Sequence, residues 1–142
     1  MRSQSGATMS LGGGSMYSMS RKQYLNTTSS TEAELVGVSD AMSQIIWTRH
    51  FLMAQGVKVS HNILMQDNRS AMLLERNGTA SSSRNTRHIN IRFFFVKDKV
   101  ASGEIELQHC MSEEMVGDYF TKPLQGKKFF MFRKMIMGEN VK

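Results

Sequence analysis

Cysteine occurs once, at Cys110, so an intrachain disulfide is impossible and a small secreted fold held by bridges is excluded. Proline also occurs once, at Pro123, so nothing of that kind interrupts helices or strands before it. No apolar run approaches the roughly 20 residues a bilayer span requires, and the opening "MRSQSGATMSLGGGSM" lacks the apolar centre of a signal peptide. The expectation is therefore an intracellular chain with no membrane partner. Acidic residues are scarce too, 12 Asp and Glu against 18 Lys and Arg, for a formal charge of +6. The excess is concentrated. Residues 84–99 carry Arg84, Arg87, Arg92, Lys97 and Lys99 against Asp98 alone, and Lys122, Lys127, Lys128, Arg133 and Lys134 have no acid among residues 122–134. Such clustering favours a polyanionic partner over evenly scattered solubilising charge.

What is present suits one domain, because 142 residues with 40% hydrophobic content can bury a single core. Residues 7–11 and 15–19 are short alternating segments around Gly12–Gly14, a hairpin signature; no following helix or lysine motif makes those glycines a phosphate loop. Residues 22–28 continue the second strand or form a third. From Ser30 a three-then-four spacing of Leu35, Val38, Met42, Ile45, Arg49 and Leu52, widened by Ala41, Ile46 and Trp47, predicts a long helix closed at Gly56. A strand over "HNILMQD", with Ile63, Met65 and Asp67 on one face, precedes a short helix, "NRSAMLLERNG", closed by Gly78, and a polar loop over residues 79–86. A helix from His88 to Ser102, a strand "EIELQHC" with Ile105, Leu107 and His109 on one side, a helix "SEEMVGDYF" and a basic helix over residues 125–137 complete the chain. The Phe93-Phe94-Phe95 run is read as core packing before base stacking. Strands placed between helices imply an α/β architecture, a mixed sheet with helices on its faces.

The carboxylates carry the candidate chemistry. In "SSTEAEL", Thr31 with Glu34 fits a capping box and Ser29 with Glu32 fits equally well, so one capping role leaves the other glutamate unexplained. Glu34 lies four and seven residues before Val38 and Ala41, along the edge of the apolar stripe. Asp67 ends a predicted strand ahead of a helix, where ligands gather in α/β sheets, although a helix N-cap is an equal reading of that aspartate alone. Asp118 lies in the helix after the last strand, where a solvated face would be its ordinary explanation. Brought together, Glu34, Asp67 and Asp118 would be a hard oxygen site suited to Mg²⁺ or Mn²⁺. His109 and Cys110 lack further ligands at zinc spacing.

Several segments resemble one family, the ribonuclease H domain at the C-terminal end of copia-type LTR-retrotransposon polyproteins. "SRKQYLNTTSSTEAELVGV" is similar to its basic stretch followed by "SSTEAEY", and "QDNRSAMLL" to its "DNxSAi" segment. "SSSRNTRHINIRFFFVKDKVASGEIEL" is similar to its "RTKHIDIRYHFIREKV" helix and next strand, and "MVGDYFTKPL" to its "LADxLTKPL" ending. The segments occur in the family's order over nearly the whole chain. The resemblance implies a ribonuclease H-like fold over residues 1–124, incomplete at its N-terminus, followed by a basic helix and tail over residues 125–142. It also implies metal-dependent hydrolysis of the RNA strand of an RNA–DNA hybrid, in a polyprotein whose neighbouring region is a reverse transcriptase. The family uses four acids and two divalent ions, and Glu34, Asp67 and Asp118 match its second, third and fourth acids as catalytic residues and metal ligands. His88, in "TRHIN", also matches and is read as structural.

One departure stands at the front. The family carries an aspartate-bearing strand upstream of the segment that "MRSQSGA" resembles, whereas this chain has no aspartate before Asp40. The expectations are a sheet lacking its first strand, an open edge, and weak metal binding by the chain alone. A catalytically dead nucleic-acid-binding fragment is the alternative reading. Gly117, where the family has alanine, should weaken its helix.

Overall fold

A computed structural model describes residues 3–27, 29–69, 71–72 and 87–139, with the side chains of Arg87 and His88 left out. In chain order the elements are β1 (Gln4–Ser10), β2 (Ser15–Lys22), α1 (Ser30–Ala54), β3 (Ile63–Gln66), α2 (Arg87–Ala101), β4 (Glu106–His109), a 3₁₀ helix (Val116–Phe120) and α3 (Gly126–Met137). Backbone contacts divide them into two units, Thr28–Cys110, and Met1–Thr27 with Met111–Lys142. Most of the expected short helix after Asp67, its Gly78 cap and the loop over residues 79–86 lie outside the described residues.

In the unit Thr28–Cys110, α1 begins where Ser29, in extended conformation, accepts a hydrogen bond on its hydroxyl from the Glu32 N–H at 3.1 Å. Of the two capping pairs the sequence allows, the chain uses the one that starts at Ser29. The helix ends in a Schellman arrangement: the Val57 N–H reaches the Leu52 carbonyl at 2.9 Å and the Gly56 N–H the Met53 carbonyl at 3.0 Å. Gly56 takes φ +81°, where a Cβ would be strained. Leu35, Val38 and Met42 of α1 meet Phe93 and Val96 of α2 and Ile105 in one cluster, with Ile45, Ile46, Leu64, Ile89, Phe95 and Val100 packed against it. Each fully buried side chain of this kind contributes about 1.5–3 kcal/mol.

The apolar stripe of α1 departs from its spacing in the second half of the helix. Trp47 is 59% exposed and stacks in parallel on Phe51, with centroids 5.3 Å apart. Of the phenylalanine run, Phe93 is core, Phe95 half-buried and Phe94 exposed. A helix face narrower than three successive residues makes this unavoidable.

β3 and β4 pair in parallel, Ile63 opposite Glu106 through Gln66 opposite His109. In β3 the buried side is Leu64 and Gln66, while Ile63 and Met65 are exposed. In β4 Leu107 is buried, as its alternation predicts, with His109 on the same side reaching the exposed end of the strand.

In the other unit β1 and β2 form the expected antiparallel hairpin, longer than the alternation suggested, with a register shift between Met9 and Ser10. β2 ends at Lys22. Gly6 lies so close to the 3₁₀ helix that an added Cβ would stand 2.6 Å from Thr121 Cγ2 and 2.9 Å from the Gly117 carbonyl. Ser20 Oγ donates to the Phe120 carbonyl at 2.6 Å, across 100 residues of sequence. The expected helix over "SEEMVGDYF" is corrected to the short 3₁₀ turn Val116–Phe120, preceded by extended Met115. Gly117 favours no helix, and Pro123 turns the residue before it away from helical conformation, so there is no room for a longer one.

The structure is a mixed α/β fold, but the single mixed sheet expected from the sequence is corrected as well. Among the described residues there are two separate two-stranded sheets, β1–β2 and β3–β4. A sheet holding both parallel and antiparallel neighbours needs a strand paired on both sides, and among the described residues each of these four strands pairs on one side only.

Candidate functional site

Glu34 follows the capped first turn of α1, and its side chain is exposed. The adjoining Leu35 is fully buried. The edge of the apolar stripe therefore runs between these two residues, and the carboxylate stands on its solvent side.

Asp67 directly follows β3 and is half-buried. The capping role that competed for it belongs to its neighbour. The Asn68 side-chain oxygen accepts from the Ala71 N–H at 3.0 Å and the Asn68 carbonyl from the Met72 N–H at 3.0 Å, which is N-cap geometry. The Asn68 N–H in turn donates to Gln66 Oε1 at 3.2 Å. Asp67 is thereby left at the carboxyl end of a parallel strand, the position where α/β sheets present ligand-binding groups.

Asp118 lies in the 3₁₀ turn of the other unit and is 7% exposed, contrary to a solvated helix face. A buried carboxylate needs partners. Asp118 Oδ2 accepts from Lys122 Nζ at 2.9 Å, and Lys128 Nζ stands at 3.9 Å. Lys128 is itself fixed by donating to the Ser112 carbonyl at 2.9 Å and by lying over the Phe132 ring. Sequence reasoning missed these lysines, although an acid followed four residues later by Lys is a legible pairing signal.

Two further ion pairs in the unit Thr28–Cys110 went unforeseen. Arg92 of α2 bonds Asp40 and reaches Ser39 Oγ at 3.5 Å, tying α2 to α1. Lys99 Nζ donates to Glu104 Oε1 at 2.9 Å, with His50 Nε2 3.7 Å from the other oxygen. The Lys99 hydrogen bond, helped by the charges of Lys99, His50 and Arg49, holds the Glu104 carboxyl below its ordinary value against the effect of burial.

In donor type, three carboxylates suit a hard divalent cation. In position, Glu34 and Asp67 belong to one unit and Asp118 to the other. Among the described residues no three His, Cys, Asp or Glu side chains gather as a metal site. No described helix is long and apolar enough to cross a membrane.

No family model and no solved structure matches the chain. Curated relatives do. The retrovirus-related Pol polyprotein from transposon TNT 1-94 of Nicotiana tabacum is 24% identical over 135 residues, covering 95% of this chain and 10% of that polyprotein. The Pol polyprotein from transposon RE2 of Arabidopsis thaliana is 31% identical over 118 residues, covering 82% and 8%. The transposon Ty1-NL2 Gag-Pol polyprotein of Saccharomyces cerevisiae is 27% identical over 128 residues, covering 90% and 7%. The chain thus spans a small part of the relatives it matches, and these homologues give it a retrotransposon origin.

Proposed function

We propose that this chain is the greater part of a ribonuclease H domain from a retrotransposon Pol polyprotein, one that acts on the RNA strand of an RNA–DNA hybrid beside a reverse transcriptase region. The observation that supports this most is the placement of Asp67. Asn68 takes over the helix cap, and the aspartate matching the family's third acid stands at the ligand-presenting end of the parallel pair β3–β4. Among the described residues β3 pairs with β4 alone, an arrangement that fits an aspartate-bearing strand on its other edge, as the resemblance expects.

Glu34, Asp67 and Asp118 are the residues that would hold Mg²⁺ or Mn²⁺, and a bound pair of such ions supplies water activation and leaving-group stabilisation for phosphodiester hydrolysis. The chain's own cations would grip the hybrid. Lys127, Arg133 and Lys134 of α3 are exposed, and contacts of that kind position a duplex through its phosphates.

The test extends the chain at its N-terminus by the upstream strand of a relative. The extended protein is expected to cleave a labelled hybrid in Mg²⁺ or Mn²⁺, and Asp67→Asn to abolish the cleavage. Unchanged cleavage by the Asp67→Asn protein would sink the assignment. The second reading, a nucleic-acid-binding fragment without catalysis, is favoured by the lysine already seated on Asp118. Hybrid binding that weakens with salt, without cleavage in Mn²⁺ even after the strand is restored, would select it.

A further inference from the structure

The outer face of α3 mixes charge and aromatic surface in a way that its packing does not require. Phe132 is fully buried and so fixes which side of the helix faces inward. Phe130, two residues earlier and therefore about 200° around the helix, points the other way and is 58% exposed. Lys127 and Lys134 lie one turn before and one turn after it on the same face, and Arg133 borders that face. All three cations are exposed, and among the described residues none of them is paired with an acid. No Asp or Glu stands between Lys122 and Gly138 to neutralise them. The Phe130 ring is braced as well. It meets Phe129 edge to face at 5.4 Å, and Phe129 stacks on Tyr119 at 5.3 Å. An edge-to-face contact leaves at least one face of Phe130 uncovered.

We infer that this face of α3 binds single-stranded nucleic acid, with an unpaired base stacked on Phe130 and the phosphates on either side of it held by Lys127, Arg133 and Lys134. An exposed aromatic ring between cations fits that partner because every base has a face to stack, whatever the sequence, and the backbone beside it carries the opposite charge. A duplex keeps its bases stacked on one another, so it offers phosphates to the cations and no base to the ring. A helix lying on a membrane separates its apolar side from its charged side and buries the apolar one in lipid. In α3 the side marked by Phe132 is already buried, and Phe130 stands among the cations. The inference rests on the nucleic-acid reading for its cations and adds the form of nucleic acid that meets them; none of the three acids and no metal enters it.

The test uses the full chain without metal and follows the anisotropy of a labelled oligothymidylate, either single-stranded or annealed to oligoriboadenylate, over a series of salt concentrations. F130A is expected to weaken single-strand binding about tenfold, the scale of one lost base–aromatic stack, and to leave hybrid binding within about twofold. F130W should restore the single-strand affinity. K127Q/K134Q should weaken both forms and flatten the salt dependence by about two phosphate contacts. Circular dichroism checks that each variant keeps its helices. Equal losses on the two forms in F130A, or no loss on the single strand, would overturn the inference. Attachment to phosphatidylserine vesicles that depends on Phe130, without such dependence on the single strand, would overturn it in favour of a membrane surface. The two readings fail separately. Hybrid binding with no role for Phe130 on the single strand sinks this inference alone, whereas Phe130-dependent single-strand binding without hybrid binding sinks the hybrid reading and supports this one.

Discussion

The two units are held together by different means. In Thr28–Cys110 large apolar side chains do it: Leu35, Met42, Val96 and Ile105 are fully buried in one cluster spanning two helices and the strand region. Among the described residues of the hairpin unit only Phe132 is a large, fully buried side chain. Close backbone approach at Gly6 and polar ties take the place of a core there: Ser20 to the Phe120 carbonyl, Gln23 Nε2 to Ser5 Oγ at 2.8 Å, and Lys122 to Asp118. The comparison teaches where each unit is vulnerable. The first is sensitive to lost volume, the second to added volume and to lost partners.

Four experiments would break or sharpen that contrast. Phe93→Ala empties part of the larger cluster and should lower unfolding stability by about 3–5 kcal/mol, read as a shift of the urea midpoint followed through Trp47 fluorescence. A loss under 1 kcal/mol would deny that this unit depends on its core. Gly6→Ala adds volume where Thr121 and the Gly117 carbonyl already stand, and should remove about 1–3 kcal/mol. Gly13→Ala, with nothing within 4 Å of its Cβ, should change stability by no more than about 0.5 kcal/mol, and equal effects at the two glycines would erase the distinction. Ser29→Ala removes the hydroxyl that caps α1 and should lower stability by about 1 kcal/mol in thermal or urea unfolding.

The smallest effect is one of pH. Because Glu104 titrates below the ordinary glutamate value of 4.5 in the folded chain, its contribution is present above that value and is lost as pH falls through the lowered one. Glu104→Gln should flatten that part of the stability–pH profile. A profile that keeps its slope would place the acid sensitivity at other carboxylates.

Much of the local structure was legible in the sequence. The start of α1 at Ser30, its end at Gly56, the hairpin around Gly12–Gly14 and the alternation of β4 are set by residues within a few positions of each other. Caps and turns need no distant partner. What the spacing left open has one cause. Trp47 sits at the right helical spacing yet is 59% exposed, and alternation put Ile63 and Met65 on one face of β3 without saying which face is buried, which is that of Leu64 and Gln66, with Leu64 packed against the cluster. Spacing gives a period; which face is buried depends on what packs against it.

For the candidate site the division is similar. Which residue types are available, and that three carboxylates stand in an order that resembles a nuclease family, are properties of the sequence alone; of the two capping pairs it allows, the structure selects Ser29. Only the tertiary structure decided that Asn68 takes the cap and leaves Asp67 at the strand end, that Glu34 faces solvent, and that Asp118 is buried under Lys122 and Lys128. Capping is settled by hydrogen bonds within one turn. Burial and the field around a carboxylate are summed over side chains from several elements, such as Lys128 of α3, which chain neighbours do not specify.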